Sequence, residues 1–147
     1  MGRPLELIDA AFAAAPRPPD GELLHERCFD DGDIAALYAF AHWRDVPDAV
    51  VEREYAALSF LSPGGFRHFV PAYLGFTLRH LHSGAAAVDS TIWSLAPGFY
   101  GDPALQDFVV SKLAALDAAQ RDAVVAFLEA VDLPDAAVAL AYWRDEG

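Results

Sequence analysis

The sequence predicts an all-α fold, and three features lead to that prediction. Apolar residues recur at the three- and four-residue spacing of a helix face over most of the chain. Helix start signals precede several of these stretches, the clearest at Ser62-Pro63 and at a capping-box variant from Asp117 to Gln120. Alanine, which favours helix and close helix packing, is abundant throughout. We expect about six to eight helices in a single compact domain over residues 1–147.

The segment 60–74 is the most informative part of the chain. A helix that begins at Ser62-Pro63 meets Pro71, whose ring would clash with the carbonyl of Arg67 if the helix continued. We therefore expect a short helix, a sharp corner at Pro71 and a second helix to about Leu81. Apolar residues surround nearly the whole circumference of this second helix, which is typical of a helix buried in the middle of a domain.

Other helices are predicted in order along the chain, over residues 5–15, 34–43, 48–58, 105–116, 117–131 and 134–143. Residues 22–30 carry no decisive pattern. Residues 88–95 are compatible with a short helix or with a short pair of strands, and the turn-rich segment 97–103 is expected to be irregular. The predicted core comprises Phe66, Phe69, Leu74, Leu78, Phe108, Phe127 and Leu128.

Charge and composition narrow the classes of partner. The formal net charge is −12, from 22 acidic and 10 basic residues, and Lys112 is the only lysine. Binding to nucleic acid or to an anionic membrane needs clustered cations, so neither is predicted. An acidic surface attracts basic proteins, although it also serves solubility. A single cysteine, the absence of a signal-peptide pattern and the lack of a membrane-spanning apolar run together predict a cytoplasmic protein.

Catalytic and metal-binding patterns are weak, and we assign no catalytic residue, no metal ligand and no cofactor. No glycine-rich phosphate loop, nucleophile elbow or zinc-protease motif is present. His80 and His82 point in different directions on a helix, and His25 with Cys28 lacks a second ligand pair. The acidic run Asp30, Asp31 and Asp33 does not match an EF-hand and is better explained as a turn and cap before the next helix.

Six residues are candidates for binding: Trp43, Arg67, His68, Phe99, Tyr100 and Trp143. Arg67 and His68 lie near the proline, and a half-buried arginine there needs a carboxylate partner, for which we expect Glu52 or Glu54. The four aromatic residues lie in turn-rich segments or near helix ends. Tyrosine and tryptophan carry much of the binding energy at protein interfaces, whereas core packing is the simpler interpretation of each one alone.

The pattern Phe-Leu-Ser-Pro-x-x-Phe-Arg-x-Phe-x-Pro-Ala-Tyr-Leu over residues 60–74 resembles the centre of an uncharacterised bacterial family of small stand-alone proteins. The resemblance extends to Ile8 through Phe12, to Trp43, and to the segment from Gln120 to Leu128. It implies a bacterial, single-domain protein, and it brings no catalytic residue, because no activity is known for the family.

These observations favour a non-catalytic, acidic protein-binding module, either similar to an immunity protein or antitoxin or acting as a regulatory partner. Its partner is expected to be a protein, and the acidic charge favours a basic one. One alternative is a small hydrolase or metal-dependent enzyme whose histidines and acids are assembled only by the fold. A second alternative is a helical domain that binds a small molecule, and a homodimer would explain the same aromatic residues.

Overall fold

The structure is a computed structural model that describes residues 2–26, 28 and 30–146. Its seven α-helices are α1 (Gly2–Phe12), α2 (Asp48–Arg53), α3 (Pro63–Arg79), α4 (Ala86–Trp93), α5 (Pro103–Leu113), α6 (Ala118–Ala130) and α7 (Pro134–Glu146). Five 3₁₀ helices span Asp20–Glu22, Gly32–Ala39, Trp43–Asp45, Ala57–Ser59 and Pro97–Phe99. The described residues contain no strand, and their one β-bridge pairs Leu24 with Leu61. The all-α prediction is confirmed.

Helix α3 is the centre of the molecule. Every residue from His68 to Leu78 is buried, as expected for a helix that is apolar on all sides. Helices α1, α2, α4 and α5 all pack against it, while α6 packs against α1 and α7. Its start is as the sequence predicts, since the Ser62 hydroxyl accepts a hydrogen bond from the N–H of Gly65 and Pro63 follows.

The corner expected at Pro71 is wrong, because α3 runs through the proline without interruption. A proline inside a helix costs about 3 kcal/mol through its lost hydrogen bond and the ring clash. Burying one large apolar side chain contributes roughly 1.5–3 kcal/mol. Phe69, Tyr73, Leu74 and Phe76 are all fully buried around this turn. Their packing outweighs the cost of the proline, and the helix continues.

The alternative of a strand pair near residues 88–95 is also wrong, because α4 occupies Ala86–Trp93. Val88, Thr91 and Ile92 are buried at helical spacing, so this segment presents one face to the core.

The helix expected over 34–43 is instead a 3₁₀ helix at Gly32–Ala39. The helix expected over 48–58 ends at Arg53. At the next residue, the carbonyl oxygen of Glu54 accepts a hydrogen bond of 2.7 Å from the Tyr73 hydroxyl.

The core is one cluster of buried apolar side chains to which α1 through α7 all contribute. Six of the seven predicted core residues are fully buried, and Phe108 is the exception, being half-buried. Its ring lies against His25 and Lys112 at the edge of α5 and forms part of the wall of two depressions. Within the part of the chain that is described, no helix has both the length and the apolarity needed to cross a bilayer.

Candidate functional site

Two adjoining clefts run along the segment that precedes the acidic run. The larger, of about 650 Å³, is lined by Pro18, Gly21, Glu22, Leu24, His25, Glu26, Ser62, Pro63, Gly64 and Ser111. The smaller, of about 210 Å³, is lined by His25, Glu26, Asp107, Phe108 and Ser111. Because His25, Glu26 and Ser111 belong to both, the clefts form one continuous depression. We call it the acidic groove.

The backbone of the groove is fixed by the start of α3. Ser62 caps that helix and its hydroxyl also donates to the carbonyl oxygen of Glu22, at 2.6 Å. The Ser62 N–H donates to the carbonyl oxygen of Leu23 at 2.7 Å. A Cβ at Gly65 would lie 2.9 Å from that same carbonyl oxygen, so only glycine permits this approach. The cap motif that starts the helix therefore also holds one wall of the groove.

The rim of the groove is acidic. Glu22, Glu26 and Asp107 are exposed, and none of them takes part in the ion pairs found among the described residues. Deeper in the groove, His25 is 9% exposed and its ring centroid lies 3.7 Å from that of Phe108. The groove thus combines negative charges at its edge with flat apolar surface at its floor. This combination suits the aliphatic stem and cationic head of arginine or lysine.

Trp43 and His68 lie together in the core and not at a surface. The backbone N–H of Trp43 donates to Nε2 of His68 at 3.1 Å, and the indole Nε1 of Trp43 donates to the carbonyl oxygen of Phe12 at 3.0 Å. His68 Nδ1 lies 2.9 Å from the carbonyl oxygen of Ala15. Since Nε2 is an acceptor, Nδ1 carries the proton and donates. Both residues join α1 and its following turn to α3.

Arg67 and Trp143 are also engaged within the protein. Arg67 does not pair with Glu52 or Glu54, as the sequence suggested. Its Nε donates to Oε1 of Gln120 at 3.0 Å and its Nη2 lies 3.3 Å from Oδ2 of Asp117, because only the folded chain brings the start of α6 next to Arg67. Trp143 is 3% exposed and its indole donates to the carbonyl oxygen of Leu95 at 2.6 Å.

Phe99 and Tyr100 are half-buried at the end of the 3₁₀ helix Pro97–Phe99. Tyr100 lines a small cavity next to Lys112, and burial raises the pKa of its hydroxyl. The six predicted binding residues are therefore divided among several regions. Their role in binding stays a prediction, but Trp43 and Trp143 offer no exposed indole to a partner.

The histidines and aspartates considered as possible metal ligands or catalytic groups lie in separate places. His80 Nε2 lies 2.9 Å from Oδ2 of Asp48, whereas His82 Nε2 lies 3.5 Å from Oδ1 of Asp132. The carboxylate of Asp30 accepts the N–H of Gly32 at 2.8 Å, which stabilises the turn before the 3₁₀ helix. Among the residues described, no group of three or more histidine, cysteine, aspartate or glutamate side chains is arranged to hold a metal ion.

Sequence reasoning did not find the acidic groove. Glu22, Glu26 and Asp107 are ordinary surface acids when considered one at a time, and Asp107 is distant in sequence from the other two. The bridge between Leu24 and Leu61 and the packing of α5 on α3 bring them to one rim. The serine–proline helix start was the one local signal, because it predicts a cap whose hydroxyl can also donate to a neighbouring segment.

The chain belongs to a family of unknown function, DUF6714, whose family model matches residues 5–145. The resemblance inferred from residues 60–74 is confirmed to this extent, while the bacterial origin and the specificity of that motif stay predictions. No curated protein and no solved structure matches the chain.

Proposed function

We propose that this protein is a non-catalytic binding module that holds a basic, extended segment of a partner protein in the acidic groove. The observation that carries the proposal is the combination of three acids without basic partners among the described residues and a continuous depression beneath them. Such acids gain most from a cation supplied by another molecule, because no ion pair within the described chain has to be broken first.

The shape and chemistry of the groove support an extended segment rather than a helix or a small molecule. The groove is open, and its floor carries His25 and Phe108, whose rings can pack against the methylene groups of arginine or lysine. Pro18 and Pro63 form part of its walls, and their fixed backbone angles keep these walls in place. The net charge of −12 would raise the rate at which a basic partner arrives.

A basic toxin neutralised by an immunity protein or antitoxin, or a basic protein under regulation, would present the required segment. In either case Trp43 and Trp143 are buried, so their side chains do not contact the partner. Affinity would come from the groove floor and from the three rim acids, and the remaining acidic surface would act mainly on the association rate.

The proposal is tested by fluorescence anisotropy with a labelled peptide of alternating arginine and glycine, and with a glutamate–glycine peptide of equal length as reference. The groove variant combines Glu22→Gln, Glu26→Gln and Asp107→Asn. The matched control combines Glu52→Gln, Asp89→Asn and Asp145→Asn, which removes three exposed charges elsewhere. Loss of three partly screened contacts of about 0.5 kcal/mol each should raise the Kd of the groove variant roughly tenfold.

The control variant should stay within about twofold of the unmodified protein, since long-range charge acts weakly on affinity. Equal weakening of both variants would mean that only the net charge attracts the peptide. An unchanged Kd in the groove variant would rule out the groove as the binding site.

A further inference from the structure

Arg121 is a half-buried arginine on α6 that has no carboxylate partner among the described residues. None of the ion pairs found in this part of the chain includes it. Its guanidinium stays charged at any ordinary pH, and a charge that has lost part of its water needs compensation. In a chain with 22 acidic residues, the missing carboxylate calls for an explanation.

Two contacts hold the Arg121 guanidinium and leave one of its edges unused. The Nη1 atom donates to the carbonyl oxygen of Leu113 at 3.1 Å, and the guanidinium carbon lies 4.8 Å from the ring centroid of Trp143. Stacking on an indole fixes the plane of the group, and the bond to Leu113 fixes its rotation. Among the described residues, no acceptor is hydrogen-bonded to Nε or Nη2. These two nitrogens form the edge that can bind both oxygens of a carboxylate.

A surface groove of about 340 Å³ lies beside this arginine, and none of its lining residues belongs to the acidic groove. Its volume is at the lower end of the range for pockets that bind small molecules. Ala118 and Val125 form an apolar wall, and Arg144 adds a second guanidinium at the rim, where its side chain is 60% exposed. The full lining is Ala118, Arg121, Asp122, Val125, Trp143 and Arg144.

We propose that this groove binds a small organic acid that has one carboxylate and an apolar body. The carboxylate lies against Nε and Nη2 of Arg121, and Arg144 supplies the second positive charge. The apolar body rests on Ala118 and Val125. This site does not depend on the function proposed for the acidic groove, because the two sites share no residue.

The charges around the groove favour a monocarboxylate over a phosphate. Asp122 belongs to the lining, and Oε2 of Glu129 lies 3.0 Å from Nη2 of Arg144, so the positive charge is partly compensated. A second negative charge on the ligand would be repelled by both carboxylates. The net charge of −12 acts mainly from greater distances, and at about 0.1 M salt, charges more than about 10 Å away are largely screened.

The test is an NMR titration of the ¹⁵N-labelled protein at about 0.1 M salt with benzoate, which has one charge and a flat apolar ring. The indole N–H signals of the three tryptophans serve as reporters, because Trp143 lines the groove while Trp43 and Trp93 do not. Benzoate should shift the Trp143 signal in a saturable way and leave the other two nearly unchanged. Benzamide, which has the same shape without the charge, should bind at least about tenfold more weakly, and the dianion phenyl phosphate should bind several-fold more weakly.

Variants separate the arginine fork from net charge. Arg121→Gln should raise the Kd of benzoate at least about tenfold. Arg121→Lys keeps the charge without the planar fork and should raise it several-fold. Arg144→Gln alters an exposed side chain and leaves the packing intact, and it should raise the Kd about threefold. Arg53→Gln is the matched control, because that side chain is 69% exposed and lies outside the groove, and the Kd should not change.

Four results would overturn the proposal. Equal affinity for benzoate and benzamide would mean that the groove does not recognise a carboxylate. Tighter binding of phenyl phosphate would assign the groove to dianions. Equal shifts of all three indole signals would mean that benzoate does not bind at this groove. An unchanged Kd in both Arg121→Lys and Arg144→Gln would show that neither guanidinium holds the ligand.

Discussion

At the scale of single residues, His68 shows how a buried polar side chain holds three segments together. With 1% of its surface exposed, it donates from Nδ1 to the carbonyl of Ala15 and accepts the N–H of Trp43 at Nε2. Only a neutral ring can make both bonds. Burial is the main reason that its pKa is lowered from 6.5, with smaller contributions from His42 and Arg17, whereas the bond to Ala15 acts in the opposite direction.

This geometry predicts a pH-dependent contribution of His68 to stability. Because the pKa is lower in the folded state, the unfolded chain binds a proton that the folded chain does not. The contribution is complete above about pH 6.5 and is lost as the pH falls through the folded pKa. His68→Leu should lower the free energy of unfolding by about 1–3 kcal/mol near neutral pH, since it leaves a buried donor and a buried acceptor unpaired.

The measurement is urea unfolding of both proteins from about pH 8 to pH 5, with the exposed His82→Leu as control. The difference between the wild type and His68→Leu should shrink as the solution is acidified, while that for His82→Leu stays near zero. A difference that is constant over this range would show that His68 does not gain its stabilising effect from the neutral ring.

At the scale of elements, the capping box of α6 also acts as a cross-link between helices. Asp117 Oδ1 accepts the N–H of Gln120, and Gln120 Oε1 accepts the N–H of Asp117. Arg67 from α3 donates to the same Gln120 oxygen, and Gln120 Nε2 lies 3.3 Å from the carbonyl oxygen of Ala11 in α1. The local motif predicted from the sequence thus fixes the relative positions of three helices.

We expect Gln120→Ala to be more destabilising than an ordinary loss of a cap. Asp102 provides the comparison, because it caps α5 by accepting the N–H of Ala104. Asp102→Ala should cost about 1 kcal/mol, and Gln120→Ala about 2–3 kcal/mol, since buried partners lose their bonds. In a double-mutant cycle, Arg67→Ala and Gln120→Ala should couple by at least about 0.5 kcal/mol. Additive effects in denaturant unfolding would contradict the cross-link.

At the scale of the whole molecule, the net negative charge destabilises the folded state, while it favours encounter with a cationic partner. The net charge is −12, and most of the ion pairs among the described residues lie at the surface, where each contributes little. The same negative charge that would attract a basic partner also repels itself within the folded chain. Ionic strength should therefore have opposite effects on stability and on binding.

Raising the NaCl concentration from about 0.01 M to about 0.1 M shortens the Debye length from about 30 Å to about 10 Å. Thermal unfolding of the free protein should shift upward by a few degrees, because self-repulsion is screened. Over the same range, anisotropy should show weaker binding of the arginine–glycine peptide. A Tm that falls with salt would mean that attractive ion pairs outweigh repulsion in the folded state.

The sequence alone determined the features that depend on neighbours within a few residues. Helical spacing of apolar residues predicted the all-α class and a buried helix from Pro71 to about Leu81, of which residues 71–78 are buried. The hydroxyl of Ser62 and the pair Asp117 and Gln120 predicted two helix starts, which the structure confirms. These signals are local because a helix hydrogen bond or cap joins atoms only three or four residues apart.

Tertiary structure decided what depends on distant segments. Pro71 stays inside a helix because surrounding side chains from several elements are buried, and Arg67 pairs with Asp117 and Gln120 because the fold brings the start of α6 next to it. Lys112 is the only lysine in the sequence, and its burial under Leu58 and Phe108, outside every ion pair of the described residues, appears only in the folded chain. The acidic groove likewise exists only in the folded chain, since burial and pairing depend on which elements meet, and the spacing of residues along one element does not specify that.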